Sequence, residues 1–414
     1  MANVFDVQQK ITNAFLLLLK NELVMGKLVT TDFDKEFRNE EVAVGDTVKV
    51  RRPPEFTVRD GAVASAQDIK TGTVDVTIDK QKGVDVNLTS KELTLNVDKL
   101  LENQTLKAKA AVLAQQIDAD LMGKTLEFPH WVGTPGQLIN SAPDFFVGVQ
   151  RAMELGIPMD DLNAVLSPAD HFALAGSFTA LAASDATVKL AIEKAKLPMV
   201  GGVQPYVSQN VLNLTVGTRA AAGAALINGA NQNVTYDSVR GTYKQTLVID
   251  GLAAGATIKA GEVFTIAGVN TVNPRSKADL GYLQKFVVLA DATADGLGAI
   301  AALSVACPII TSGAYQTVTA APADNAAITF MGTASTAYAQ NAIFHKSAIG
   351  LVGAKLVDPK SGVCSFASDP KTGLSIRTWS QSDITNDTHM TRVDVLYGVV
   401  NLDRRLGVRL SGTA

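Results

Sequence analysis

Three kinds of hydrophobic spacing alternate along the 414-residue chain. Near the start, Ile11, Phe15 and Leu18 recur at helical spacing and predict a helix over residues 4–25. Leu16, Leu17 and Leu19 make further faces apolar, so this helix wants partners on more than one side. Either it docks on its own domain or it is an arm gripping a neighbouring copy, with Phe15 and Leu18 as the candidate contacts. Over residues 42–88 the period falls to two. Val48 and Val50 alternate with polar residues, Arg51-Arg52-Pro53-Pro54 interrupts, and alternation resumes at Val74, Val76, Ile78, then Val84, Val86, Leu88. This predicts a two-stranded arm with about 15 residues per side, roughly 50 Å long. A ribbon of that length is marginal alone in water, which favours a neighbouring subunit as its support. Arg51, Arg52, Glu55, Arg59 and Asp60 are then either a solvated face or intersubunit ion pairs that set register, and the arm's length favours the second.

Helical spacing returns from about Asp98 to Met122, where Leu106, Ala110, Leu113, Ile117 and Leu121 form one apolar face and Gly123 supplies a C-terminal stop. Such a helix would be roughly 38 Å long. Ser141-Ala142-Pro143-Asp144 and Ser167-Pro168-Ala169-Asp170 open two capped helices, the first ending at Gly156, with a short buried strand at Ala164-Val165-Leu166 between them. Short β-type runs follow at Lys244–Ile249, Val263–Ala267, Phe286–Leu289, Tyr315–Thr319 and Ile328–Met331, punctuated by glycines. They predict a small barrel or sandwich inserted between helical and mixed segments. Leu374 to Leu410 closes the chain with strands.

Composition narrows the picture. At 37 Lys+Arg against 40 Asp+Glu the formal charge is −3, without the basic excess of a dedicated nucleic-acid binder. The length implies two or more lobes. Cys307 and Cys364 stand far apart and read as buried free thiols. The run Phe15–Leu19 is too short to span a membrane, so the protein is expected to stay in the cytoplasm. His130, His171, His345 and His389 are scattered without metal-ligand spacing and read as ordinary helix, loop or surface residues. Gly296-Leu297-Gly298 lacks the rest of a phosphate loop. Asp118 and Asp120, two apart on a helix, read as a solvated face. No catalytic, metal or cofactor constellation emerges, so an enzyme is the least favoured class.

The order of parts, together with Lys107-Ala108-Lys109-Ala110 leading to Leu113–Asp118, Ala164–Pro168, and Val395-Leu396-Tyr397-Gly398 before Arg404-Arg405, resembles the major capsid proteins of tailed phages. Thr257 to Val269 is similar to the inserted β-domain of short-tailed phage coats of the P22 type. The resemblance implies an α+β phage major capsid protein fold of the Hong Kong 97 type (N-arm, extended β-loop, spine helix, peripheral and axial domains) with an inserted small β-barrel domain. On that pattern the N-terminal helical arm would be 1–40, the extended β-hairpin loop plus a peripheral strand 41–90, and the peripheral domain with the spine helix 91–166. The axial domain would take 167–233 and 332–372, the inserted β-barrel-like domain 234–331, and the closing peripheral strands 373–414.

It further implies hexamers and pentamers of this chain, a scaffolding protein, a portal, a decoration protein where one is used, and enclosed double-stranded DNA bound without sequence specificity. No cofactor and no membrane are implied. The place would be the virion capsid, assembled in the host bacterial cytoplasm, with the N-terminal helix a candidate to rearrange on shell expansion. Related shells join a loop Lys to an Asn of another subunit. Lys70, with Asn341 or Asn401, would be that pair here, although a solubilising charge is the preferred reading of Lys70. The alternatives are an encapsulin-like bacterial nanocompartment shell and, less favoured, a surface-layer or adhesin β-protein.

Overall fold

The structure, a computed structural model of the chain, describes residues 3–31, 47–59, 61–63, 66–89, 106–179, 197, 199–219, 225–359, 361–383 and 385–413. Helix and strand make up 21% and 37% of the described residues, which fits the α+β class. The chain forms two compact units. The first comprises Met1–Lys49, Asp75–Met122 and Ile349–Val400; the second comprises Val50–Val74, Gly123–Ala348 and Asn401–Ala414.

In the first unit the long strand Thr388–Asn401 is the axis of a five-stranded sheet. On one side it pairs antiparallel with Ser375–Asp383, which in turn pairs with Val363–Ser368. Its Thr388–Tyr397 segment also pairs antiparallel with Lys80–Thr89. Gly398 lies where a Cβ would come within 2.2 Å of the Thr77 carbonyl, so only glycine lets the backbones meet. The N-terminal helix Asn3–Glu22 packs on the strands Val363–Ser368 and Ser375–Asp383. Phe15 and Leu19 are buried, the Gln9 side chain donates to the Phe366 carbonyl at 2.8 Å, and Lys20 meets Asp369 at 3.0 Å. Of the two readings open to this helix, the described conformation is the docked one.

The spine helix is described from Leu106 to Thr125, and its expected beginning at Asp98 lies outside the described residues. Gly123 is not its stop. The helix runs one half-turn further, with open space where a Cβ of Gly123 would point, so nothing there demands a left-handed cap. Asp118 and Asp120 do face different directions, but neither is a solvated residue. Asp118 is buried and accepts the Val24 and Gly26 backbone N–H groups at 2.7 and 3.1 Å, tying down the turn that follows the N-terminal helix. Burial pushes its carboxyl upward despite those bonds. Asp120 accepts the Tyr397 hydroxyl at 2.6 Å and pairs with Lys80 at 3.1 Å.

In the second unit a five-stranded sheet runs in the order His130–Val132, Gly407–Leu410, Asn341–His345, Leu162–Leu166, Gln204–Val207. Helices Ala142–Glu154 and Pro168–Thr179 contribute Phe145, Val149 and Leu174 to a core with Ala164, Ile343, Val408 and Leu410. Both carry the expected caps: Ser141 accepts from the Asp144 N–H and Ser167 from the Asp170 N–H. The expected closing strands divide between sheets, because Gly407–Leu410 joins Asn341–His345 and His130–Val132 rather than the strands that precede it.

The six-stranded sheet of this unit is a barrel, in the order Ile328–Phe330, Val263–Val272, Asp279–Val288, Ile300–Ala306, Lys244–Asp250, Leu226–Ile227. Ile227 donates to the Ala326 carbonyl and Ile328 to that of Ala225, so the last strand returns to the first and no edge is left. Leu247, Ile249, Phe264, Ile266, Phe286, Leu303 and Val305 fill it. One expectation fails here and one strand is additional. Tyr315–Thr319 is no strand, making only a single bridge from Val318 to Thr271. The strand Ile300–Ala306 went unread because its sequence, IAALSVA, is alanine-rich; cross-strand packing overrides weak propensity.

Gly298 turns the chain into Ile300–Ala306 with φ +80°, and a Cβ there would fall 1.9 Å from the Leu252 carbonyl, whereas Gly296 faces open space. Gly298→Ala is expected to cost about 2–4 kcal/mol. Gly296→Ala should stay within about 0.5 kcal/mol. Urea midpoints of the two variants against the parent check this.

Candidate assembly surface and the root of the extended loop

The ribbon expected at residues 42–88 is much shorter than its pattern suggested. Thr47–Arg51 pairs with Thr73–Thr77, and the described residues between 52 and 72 carry no strand. The pairing stops because Pro53 and Pro54 have no N–H to give a ladder. The second half of the alternation, Val84 and Val86, is strand but pairs with Thr388–Asn401, opposite Val393 and Thr391.

The result is a loop held by side chains. Next to the ribbon, the Arg52 N–H donates to the Gly72 carbonyl at 2.8 Å. Further out, the Gln67 amide accepts the Thr57 N–H at 2.9 Å and donates to the Thr57 carbonyl at 2.6 Å, imitating a strand partner. Toward the tip, the Arg59 guanidinium donates to the Val63 carbonyl at 2.8 Å and also to that of Gly61. Four large apolar side chains on this loop face water: Phe56, Val58, Val63 and Ile69 are 51, 94, 84 and 72% exposed.

The candidate contact residues separate into two groups. Arg51, Arg59 and Lys70 are exposed. Lys70 pairs with Asp237 at 2.7 Å in a solvent-screened contact. Phe15 and Arg52 are buried in their own units, Leu18 is half-buried, and Asp60 lies outside the described residues. Glu55 and Arg52 therefore serve the loop's root. Glu55 accepts from Arg405 at 2.7 Å and Lys277 at 3.2 Å. Arg405 also pairs with Asp403 at 2.8 Å. Burial alone would raise the Asp403 carboxyl, but Arg405 carries it below the usual carboxylate range. Arg52 and Arg405 both lie against the Tyr243 ring, 4.8 and 5.2 Å from its centroid. Asn341 is buried and bonded to Ser167, Asp170 and Leu410, and Asn401 is buried and donates to the Lys124 carbonyl. Both amides are thereby committed to their own core, which leaves neither as a crosslink partner for Lys70.

Among the described residues no group of three or more His, Cys, Asp or Glu is placed to hold a metal, and no described helix is long and apolar enough to cross a membrane. His130 departs from its expected loop or surface setting. It sits buried in a strand, and burial, with Lys285 and Arg151 nearby, pushes its imidazole down to about 3.

A sheet-rich subunit with a closed barrel, a long internal helix and an apolar loop turned to solvent is consistent with a shell-building protein. The model of the family described as P22 coat protein, gene protein 5, matches residues 1–412, and the chain belongs to that family. It is a major capsid protein of a phage shell. Among solved structures it is similar to Mycobacterium phage Che8, at 12% identity over 94% of this chain and 90% of that one, TM-score 0.47. It is also similar to the capsid of Cyanophage P-SCSP1u, at 10% over 95% and 89%, TM-score 0.45. The CUS-3 coat protein I-domain is similar over 28% of this chain and 99% of its own, at 25% identity and TM-score 0.21. No curated protein matches.

The buried neutral His130 links stability to pH. Its unfolded form takes a proton near pH 6.5 and its folded form only near 3, so its contribution is complete above 6.5 and is lost as pH falls through that window. The loss across the full window is roughly 4–5 kcal/mol, about 1.4 kcal/mol per pH unit. Urea unfolding between pH 4 and 7 should show a shallower acid-side decline for His130→Gln than for the parent; parallel declines would remove His130 as a cause.

Proposed function

We propose that this coat protein assembles with itself into hexamers and pentamers that enclose double-stranded DNA, guided by a scaffolding protein, around a portal, in the host cytoplasm, and without catalytic activity. A decoration protein is an optional addition to the same scheme. The lobes expected from the family pattern, with the N-arm at 1–40 and the inserted β-domain at 234–331, are proposed as its working parts.

One observation carries the assembly reading. Phe56, Val58, Val63 and Ile69 all stand in water on a single loop, four exposed large apolar side chains within fourteen residues of sequence. Exposed apolar clusters on soluble proteins mark contact surfaces, and on a shell subunit the natural cover is another copy. Arg51, Arg59 and Lys70 are exposed on the same stretch of chain and are proposed to give register, since rim charges steer and orient more than they bind. Several weak contacts per subunit suffice, because each closed contact raises the effective concentration for the next.

Negative-stain microscopy of the high-molecular-weight fraction, with the candidate scaffolding protein co-expressed, should show closed particles tens of nanometres across in order of magnitude. Nucleic acid in native particles separates a virion shell from a nanocompartment. Val58→Asp with Val63→Asp should leave the monomer's stability within about 0.5 kcal/mol of the parent while abolishing particles. Undiminished assembly by the double variant would remove the loop from the interface.

A further inference from the structure

The loop's two limbs part at Arg52 and Gly72 and, among the described residues, do not meet through a backbone ladder again, yet they stay together as far as Thr57 and Gln67. One side chain from outside the loop spans them. The Tyr315 hydroxyl accepts the Glu55 N–H at 3.1 Å and donates its own proton to the Lys70 carbonyl. Glu55 is the first residue past Pro53-Pro54 with an N–H to offer, so the bond falls where the prolines end.

We propose that Tyr315 is a positioning residue: the barrel uses its hydroxyl as a cross-brace that fixes the separation and direction of the extended loop. The inference rests on the reading of that loop as an assembly element and assigns the inserted domain a part in it.

The geometry suits a rigid brace. The Tyr315 ring is 8% exposed and stacks on Tyr236 with centroids 3.5 Å apart and planes 1° from parallel. Tyr236 starts a single helical turn, Tyr236–Val239, that packs with Tyr243 and Ile310. On the loop side, a Cβ on Gly72 would lie 2.6 Å from the Arg240 carbonyl and 2.8 Å from the Tyr236 hydroxyl, so the limb rests directly on this wall. The Thr73 N–H donates to the same Arg240 carbonyl at 3.3 Å. An open cleft of about 450 Å³, lined among others by Glu55, Lys70, Asp237 and Tyr315, lies beside the brace, so apolar packing does not fill the space between limb and barrel. A hydroxyl there uses its one proton and one lone pair on opposite limbs, which a phenyl ring in the same place could not do.

Amide hydrogen exchange on the full-length chain tests this, with Tyr315→Phe keeping the ring and stack and Asp237→Asn removing only the Lys70 ion pair. Tyr315→Phe should speed exchange of the Glu55 amide and the flanking loop peptides about tenfold while the barrel peptides are unchanged. Asp237→Asn should leave both alone. Unchanged loop exchange in Tyr315→Phe overturns the brace. Equal acceleration in the barrel also overturns it, by showing a general stabilising role instead. Loop acceleration by Asp237→Asn of the same size would transfer the role to the ion pair.

Assembly is read separately. Slower or misshapen shells from Tyr315→Phe support positioning, and shells identical in rate and size overturn it. A parent chain that never forms shells would sink the assembly reading while the exchange result still decided the brace.

Discussion

The strand Gly407–Leu410 lies between Asn341–His345 and His130–Val132, so it is what joins His130–Val132 to the rest of the second unit's five-stranded sheet. Arg409 on that strand makes the dependence sharper. Its guanidinium is fully buried with no carboxylate partner among the described residues, donating to the Phe128 carbonyl and the Gln340 side chain at 2.9 Å each and lying 5.3 Å from the Trp131 centroid. Burial lowers it to about 9. Two carbonyl oxygens and an aromatic face replace part of the water such a charge would otherwise hold, and they do so in this register of the strand. Trp131 packs with Val263, Val287 and Ala306 of the barrel, and its carbonyl accepts from Lys285. The residues packed around Arg409 therefore also seat the barrel on this sheet.

The first unit obeys the same rule through other residues. Lys80–Thr89 finds its partner some three hundred residues later, in Thr388–Asn401, and the N-terminal helix lies on Val363–Ser368. Such pairings must meet the entropy of closing long loops before any contact is gained. The barrel is the exception. Its strands from Leu226 to Phe330 pair among themselves and close without help from either terminus. A local, edge-free core in the middle of a chain whose other sheets are long-range is a sensible place from which to hold a loop.

That contrast also explains what could be read from the residues alone. Capped helices at Ser141 and Ser167 were legible because capping is local chemistry. The alternation through Val84 and Val86 correctly indicated strand, but period two says nothing about partner, and assigning them to a hairpin stretched a five-residue ribbon into an arm. Asp118 looked solvated because its partners, Val24 and Gly26, are ninety-odd residues away. His130 gave no sign of burial, since its strand is only three residues long. In the candidate surface, the exposed charges Arg51, Arg59 and Lys70 were recognisable, whereas Arg52 and Phe15 were drawn inward by partners the pattern does not name. Tyr315 lay in an expected strand, where its hydroxyl had no reason to attract notice.

A loop meant to be covered by a neighbour has to satisfy two conditions that pull against each other. Its root must be ordered, or binding would have to supply the entropy of fixing it; its tip must be unsatisfied, or there would be nothing to bind. A continuous β-ladder would order the root but would present flat, self-templating edges along its whole length. This chain separates the two conditions by composition. Pro53-Pro54 ends the ladder, and the hydroxyl of Tyr315 and the amide of Gln67 then tie the limbs at single points, neither of which offers an edge. Beyond those ties Val58 and Val63 remain almost wholly exposed. Order is thus delivered by side chains where specificity is wanted, and apolar surface is left free where contact is wanted.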